Sequence, residues 1–282
     1  MRKFMKKEII SNWPYIFWFL FYFMMFWLIT GATADGFLIV FVIYISSILF
    51  SFTPLAEGLW RSVLGLRPPR TEAERERLDS LFADVLDNGM EESPNISRNT
   101  RLFIQEEMDI NAFAFGRNTL ILTKGSVELL SDDCLKGLMA HELGHFAHYD
   151  TMVLLITTVG NILFSLLMKI LQVIANILLF IVRGKDPTFS MIFKILYKIV
   201  VGIHTAILFI GDMILMQVSR KHEFMADEFA NKIGFGDELI KVLSHINMVA
   251  GAEPEKIIEQ LRSTHPPLTK RIEVLERIIK EE

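Results

Sequence analysis

Five consecutive residues, His141-Glu142-Leu143-Gly144-His145, carry the clearest chemical signal in the chain. Residues four apart on a helix lie one above the other, so His141 and His145 can offer two neutral imidazoles to one ion. That pair supplies two corners of a tetrahedral Zn2+ site. Glu142 is rotated about 100° around the helix axis. It lies too far round to be a third ligand but can reach a water held on the metal. The His-Glu-x-x-His spacing therefore points to hydrolysis with Glu142 as general base. The surrounding stretch, Ser131 to Tyr149, has a strong helix pattern, and Ser131, Asp132 and Asp133 supply a cap and negative charge at its start.

A third protein ligand is needed, with the fourth position left for water. One source is a further histidine in the pattern H-E-x-x-H-x-x-G-x-x-H. Here the glycine position is His148 and the last position is Thr151, so that pattern fails. His148 shares a helical face with His141 and His145, but a straight helix puts it a turn too far away, and it reads as a cavity or interface residue. The other source is a glutamate on a second helix. The run Ser219 to Asp227 offers Glu223 as a ligand, and Asp227, four residues on, as acceptor for the free N–H of a ligating imidazole. Taken alone, such a pair also fits an acidic stripe on a solvated helix. The single cysteine, Cys134, excludes a disulfide framework and a cysteine-rich metal site, and reads as a packed thiol.

The elements that must position these residues are unusually apolar. With 51% hydrophobic residues and a mean hydropathy of +0.37, the chain reads as a membrane protein with a sizeable polar part. A net charge of −4 leaves no electrostatic footprint for nucleic acid. Arg2, Lys3, Lys6 and Lys7 precede the apolar run Trp13 to Thr30, and a second run, Phe37 to Phe52, follows a Gly31–Gly36 turn. The basic start and Ala32-Thr33-Ala34 also fit a cleavable signal peptide. The first run is too long and aromatic for that, and the next begins at once, which favours a transmembrane hairpin. Arg61, Arg67 and Arg70 follow it, and the turn has no Lys or Arg, so the positive-inside rule puts both ends in the cytoplasm.

Thr151 to Val182 and Phe189 to Val218 form a second apolar pair. Each exceeds the length a bilayer requires, and Arg183 and Lys185 between them run against the charge rule. The pair therefore either crosses the membrane or dips into it as a hairpin. Asn161, Lys169, Lys194, Lys198, His204 and Asp212 interrupt these runs, as groups facing protein or water or as snorkelling and interfacial groups.

The polar stretches read as follows. Gly65 to Arg70 is a breaker. Thr71 to Asp87 is an amphipathic helix with Leu78, Leu81, Phe82, Val85 and Leu86 on one side and a Thr71-x-x-Glu74 capping box. Asn88 to Asn99 is a polar loop whose Asn95-Ile96-Ser97 sequon has no meaning in a cytoplasmic domain. Arg101 to Gln105 and Asn111 to Thr123 are short strands with a Gly116-Arg117-Asn118 hairpin turn, and Ser126 to Leu130 is helical. Pro267 to Lys280 closes the chain as an amphipathic helix.

The chain resembles the HtpX-like integral-membrane zinc metalloproteases, which also include the CAAX prenyl proteases. The resemblance rests on Asn111-Ala-Phe-Ala-Phe-Gly116, His141-Glu-Leu-Gly-His145, Ser219-Arg220-x-x-Glu223-x-x-Ala226-Asp227, and Ser263-Thr-His265-Pro-Pro267 with Arg271, in family order over residues 70 to 280. It implies His141, His145 and Glu223 as ligands of one Zn2+ per chain and Glu142 as the base. It also implies that Asn111 holds a substrate backbone added as a strand, and that His265 and Arg271 steady the oxyanion. Asp150 fits the family pattern as a residue behind the ligands or as a cap. The four apolar runs resemble the HtpX arrangement, whereas the prenyl proteases carry more.

The expected fold is mainly α, with four apolar membrane segments and a cytoplasmic α+β protease domain of zincin (gluzincin) type holding a small β-sheet. Its expected division is 1–60, 61–150, 151–218 and 219–282. The expected activity is endopeptidase cleavage of membrane or misfolded proteins at the cell membrane, in quality control. The alternatives are processing of one defined substrate, such as a prenylated protein, and a non-catalytic scaffold that keeps its zinc.

Overall fold

The computed structural model describes residues 13–182, 187–250 and 266–281. His265, the basic residues Arg2 to Lys7, and Arg183 and Lys185 lie outside the described residues. The chain is mainly helical and divides into two units, one of Leu49–Leu155 and Met216–Glu282, the other of Asn12–Ile48 and Ile156–Leu215.

The second unit contains α1 (Trp13–Ile29) and α2 (Ala34–Ser51), joined through Gly31 and Ala32, both at positive φ. Their interface is aromatic. Trp18, Tyr22 and Tyr44 are buried, and Phe23 meets Phe37 edge-on at 5.2 Å, a geometry that suits ring quadrupoles. Among the described residues α2 is the one helix long and apolar enough to cross a membrane, and Ile16–Leu28 and Ser165–Ile177 are shorter apolar stretches.

In the first unit, α3 (Pro54–Val63) precedes α4 (Glu72–Glu92). The Thr71 capping box is complete: the Thr71 hydroxyl accepts from Glu74 N–H, and the Glu74 carboxylate accepts from Thr71 N–H. All five apolar residues expected on the inner face of α4 are buried. The loop expected from Asn88 is instead helical as far as Glu92. Gly89 explains the difference, because a Cβ there would stand 3.0 Å from Leu143 Cδ1 and 3.2 Å from Ile96 Cδ1. Close packing on the histidine-bearing helix overrides the local stop signal.

Three strands follow, β1 (Arg101–Gln105), β2 (Ala112–Phe115) and β3 (Thr119–Thr123), in the order β1-β3-β2. β3 is central and wholly buried, parallel to β1 and antiparallel to β2. The outer edge of β1 is closed by Arg67, whose backbone exchanges both hydrogen bonds with Ile104. Among the described residues no strand pairs with the outer edge of β2.

The short helix α5 (Lys124–Leu129) leads into α6 (Asp132–Ala147), the histidine-bearing helix. Ser131 caps α6 by accepting from Cys134 N–H. Arg77 of α4 ties this junction down, donating to Asp132, to Val127 O and to Leu130 O. The helix pattern expected through Tyr149 stops earlier: His148 is the C-cap and Tyr149 has φ 62. A left-handed conformation costs a non-glycine residue about 1–2 kcal/mol. The Tyr149 hydroxyl, donating to Asn95 Oδ1 at 2.6 Å, helps to hold it. Asn95, the sequon residue, also donates to Ala147 O at 2.7 Å.

The break separates α6 from α7 (Asp150–Val182). Then α8 (Pro187–Lys232) runs on without interruption through Glu223 and Asp227, so the fourth apolar run and the second acidic motif share one helix of 46 residues. Finally α9 (Gly236–Ala250) packs against α6, and α10 (Leu268–Glu281) against α9.

Arg67 makes a buried charged tie outside the histidine cluster. It holds Glu74 through two 3.0 Å contacts and also bonds Glu106. The Arg67 hydrogen bonds, and then the backbone N–H of Arg70, pull the Glu74 carboxyl from 4.5 to about 2. Its folded value lies below its ordinary one, so the stabilisation is complete above pH 4.5 and is lost as the pH falls through about 2. Replacing Glu74 by Gln should lower stability at neutral pH and flatten the loss between those two values, measured by chemical denaturation in detergent across pH.

Candidate metal centre

His141 and His145 project from one face of α6, with ring centroids 4.9 Å apart and planes at 86°. Glu223 faces them from α8, its carboxylate oxygens 3.5 Å from His141 Nε2 and 3.6 Å from His145 Nε2. The three candidate ligand atoms lie within 4.8 Å of one another, and Glu223 and His141 are almost wholly buried. Zn–N and Zn–O bonds of about 2.0–2.2 Å at tetrahedral angles put ligand atoms about 3.3–3.6 Å apart. The residues fit a zinc ion.

Each imidazole turns its other nitrogen to a carboxylate. His141 Nδ1 lies 2.9 Å from Asp227 Oδ1, and His145 Nδ1 lies 3.0 Å from Asp150 Oδ2. With the proton on Nδ1 donated to the carboxylate, the Nε2 lone pair of each ring is left for a metal. The break at Tyr149 is what allows this at His145. In a continuous helix Asp150, five residues on, would point about 140° away.

Asp150 serves a second ring, because His222 Nδ1 stands 2.8 Å from its Oδ1. His222 is 3% exposed and comes immediately before Glu223. Nothing in the spacing of the sequence signals it. Adjacent residues face different sides of a helix, and the link exists only through Asp150. Burial raises the Asp150 pKa, but the hydrogen bonds from His145 and His222 outweigh it and bring it down to about 2.

Arg271, on α10, is 5% exposed. Its Nε donates to Asp227 Oδ2 at 2.9 Å and one terminal nitrogen to Asp227 Oδ1 at 2.6 Å, while the other terminal nitrogen lies 3.1 Å from Glu223. Burial raises the Asp227 carboxyl, yet the His141 and Arg271 hydrogen bonds hold it below its ordinary value. Burial and the Arg271 charge depress His141, and the bonds to Asp227 and Glu223 more than reverse this and raise it above the ordinary imidazole range. The arrangement favours positive charge at its centre.

Glu142 is buried beside the cluster at 5% exposure and is not one of the three converging residues. His148 lies outside the cluster too. It donates to Gly144 O at 2.8 Å and packs its ring against Phe229. Asn111 immediately precedes β2, its Oδ1 accepting from Ala112 N–H and its backbone held by Thr123 and Ser126. Cys134 is buried.

A model of peptidase family M48 matches residues 72–279. The chain belongs to this family. Among curated relatives it is 30% identical over 184 residues to Protease HtpX of Pseudoalteromonas atlantica, an alignment covering 59% of this chain and 61% of the relative. The Protease HtpX homolog of Bacillus subtilis is 24% identical over 277 residues, 88% of each chain. The fold is shared with the crystal structure of S. mikatae Ste24p at a TM-score of 0.53 and 19% identity, over 98% of this chain and 64% of that one. The chain thus spans less than two thirds of Ste24p and of the Pseudoalteromonas relative, and more of the Bacillus one.

The two ligand-bearing helices meet at Gly144. A Cβ there would stand 2.7 Å from Ala226 Cα and 3.0 Å from Ala226 Cβ. Replacing Gly144 by Ala should therefore cost about 1–3 kcal/mol through overpacking, read as a lower denaturation midpoint in detergent.

Proposed function

We propose that this chain is an integral-membrane zinc endopeptidase, with His141, His145 and Glu223 holding one Zn2+. The observation that carries the reading is the convergence of these three residues with a carboxylate behind each imidazole. Membership of a peptidase family supports it. When bound, the ion supplies Lewis acidity that acidifies a water and polarises the scissile carbonyl.

The chain's own residues do the rest. Glu142 takes the proton from the attacking water and passes it to the leaving amine. Asp227 and Asp150 fix the tautomers of His141 and His145. Arg271 holds Asp227 and Glu223 in place and offsets part of their charge as the oxyanion develops, and His265 donates to that oxyanion. The open outer edge of β2 receives the substrate backbone as an added strand, with Asn111 at the strand's start. An edge that reads backbone rather than side chains suits many substrates, which supports a role in clearing misfolded membrane proteins. The four apolar runs are taken to span the cell membrane, with the metal centre on its cytoplasmic side.

Two tests follow from this chemistry. Glu142→Gln should reduce cleavage of casein by about 10²–10⁴-fold while zinc content stays at one per chain. Undiminished cleavage would overturn the assignment of the base. His222→Ala should leave the fold intact but weaken zinc binding by about 10–100-fold, measured by competition with a chromogenic chelator. His222→Gln, which can still donate to Asp150, should recover part of that loss.

A further inference from the structure

Helix α3 (Pro54–Val63) has its polarity the wrong way round for a helix in water. Its two charged residues, Glu57 and Arg61, both turn toward the protein. The Glu57 carboxylate accepts from the Thr119 hydroxyl at 2.6 Å and from Asn118 N–H at 3.2 Å. Arg61 donates to the same hydroxyl and lies 4.5 Å above the Phe103 ring. Trp60 meets Phe115 of β2 edge-on. The opposite side is bare and apolar: Leu55, Leu59 and Val63 are 66%, 53% and 74% exposed. Their i, i+4, i+8 spacing makes them a single stripe. A solvated surface helix puts its charges outward and its leucines inward.

The chain path indicates what covers the stripe. α2 ends at Ser51, and only Phe52 and Thr53 separate it from Pro54. Three Cα steps span at most about 11 Å, so the stripe begins beside one end of a helix long and apolar enough to cross a membrane. Thr53 caps α3 in extended conformation and Pro54 starts it, so α3 is a new helix rather than a continuation. Its ten residues reach about 15 Å, half of what a crossing requires. A short helix with one apolar, uncharged face next to a membrane span suits the plane of the interface.

We propose that α3 lies on the lipid surface with Leu55, Leu59 and Val63 inserted below the headgroups. It would thereby moor the sheet, because Glu57 and Arg61 on its other face grip Asn118 and Thr119 at the β2–β3 turn. This rests on reading α2 as a membrane span.

The test places an environment-sensitive fluorophore on a cysteine introduced at one position of the full chain, reconstituted in phosphatidylcholine vesicles. Cys134 is buried, and the parent chain is the labelling control. The positions are Leu59, Leu38 within α2, and Leu129 on α5, all apolar and more than half exposed. Quenching is compared between lipids brominated near the glycerol, lipids brominated near the chain ends, and aqueous iodide. The expected result is a loss of emission at Leu59 with the shallow bromines and resistance to iodide. Leu38 should be quenched by brominated lipid, and Leu129 by iodide alone.

If Leu38 escapes brominated lipid, the membrane reading of α2 fails and this proposal with it. If Leu38 is quenched by lipid but Leu59 behaves like Leu129, the membrane reading stands and the placement of α3 is overturned. Shielding of Leu59 from both lipid and iodide, with energy transfer between labelled copies, would assign the stripe to a second copy and equally overturn the placement.

Discussion

The carboxylate of Asp227 is the constraint around which the candidate site is organised. It is 1% exposed, and a buried charge is tolerated only when it is paired and hydrogen-bonded. Its partners come from two distant stretches of chain, His141 on α6 and Arg271 on α10. Arg271 also reaches Glu223, so one guanidinium connects the residue behind one imidazole with the carboxylate that faces both. Folding that left any of these groups without the others would leave an uncompensated charge in the core. The requirement links α6, α8 and α10 through electrostatics in addition to the surrounding apolar packing.

What could be read from the sequence is what depends on short-range periodicity. The Thr71 capping box, the buried face from Leu78 to Leu86, the turn after Phe115 and the His141–His145 pair are all set by neighbours within one or two turns. Glu223 and Asp227 were legible for the same reason, being four residues apart on one helix. The extension of α4 past Asn88 was not legible, because it depends on Gly89 lying against Leu143. His222 was hidden for a related reason. Its partner is Asp150, which faces His145 only because the chain breaks at Tyr149.

The sheet and the histidine-bearing helix are joined by a similar mixture of local and long-range causes. β3 is buried along its whole length and leads through α5 into α6, with Arg77 of α4 closing the corner between them. Among the described residues Arg67 pairs with the β1 edge and no strand pairs with the β2 edge. The sheet is thus closed by a backbone bridge, among the described residues, on the β1 side alone. The same arginine draws its charge balance from Glu74 and Glu106.

Gly144 stands between the two histidines, and Ala226 stands between Glu223 and Asp227, so a close approach of the helices falls in the middle of both motifs. The spacing of the candidate ligands is therefore gauged by one backbone resting against another. Any side chain at position 144 would push the two helices apart and widen the bite of the site. The residues with least freedom are then the two smallest at the crossing, which carry no chemistry of their own.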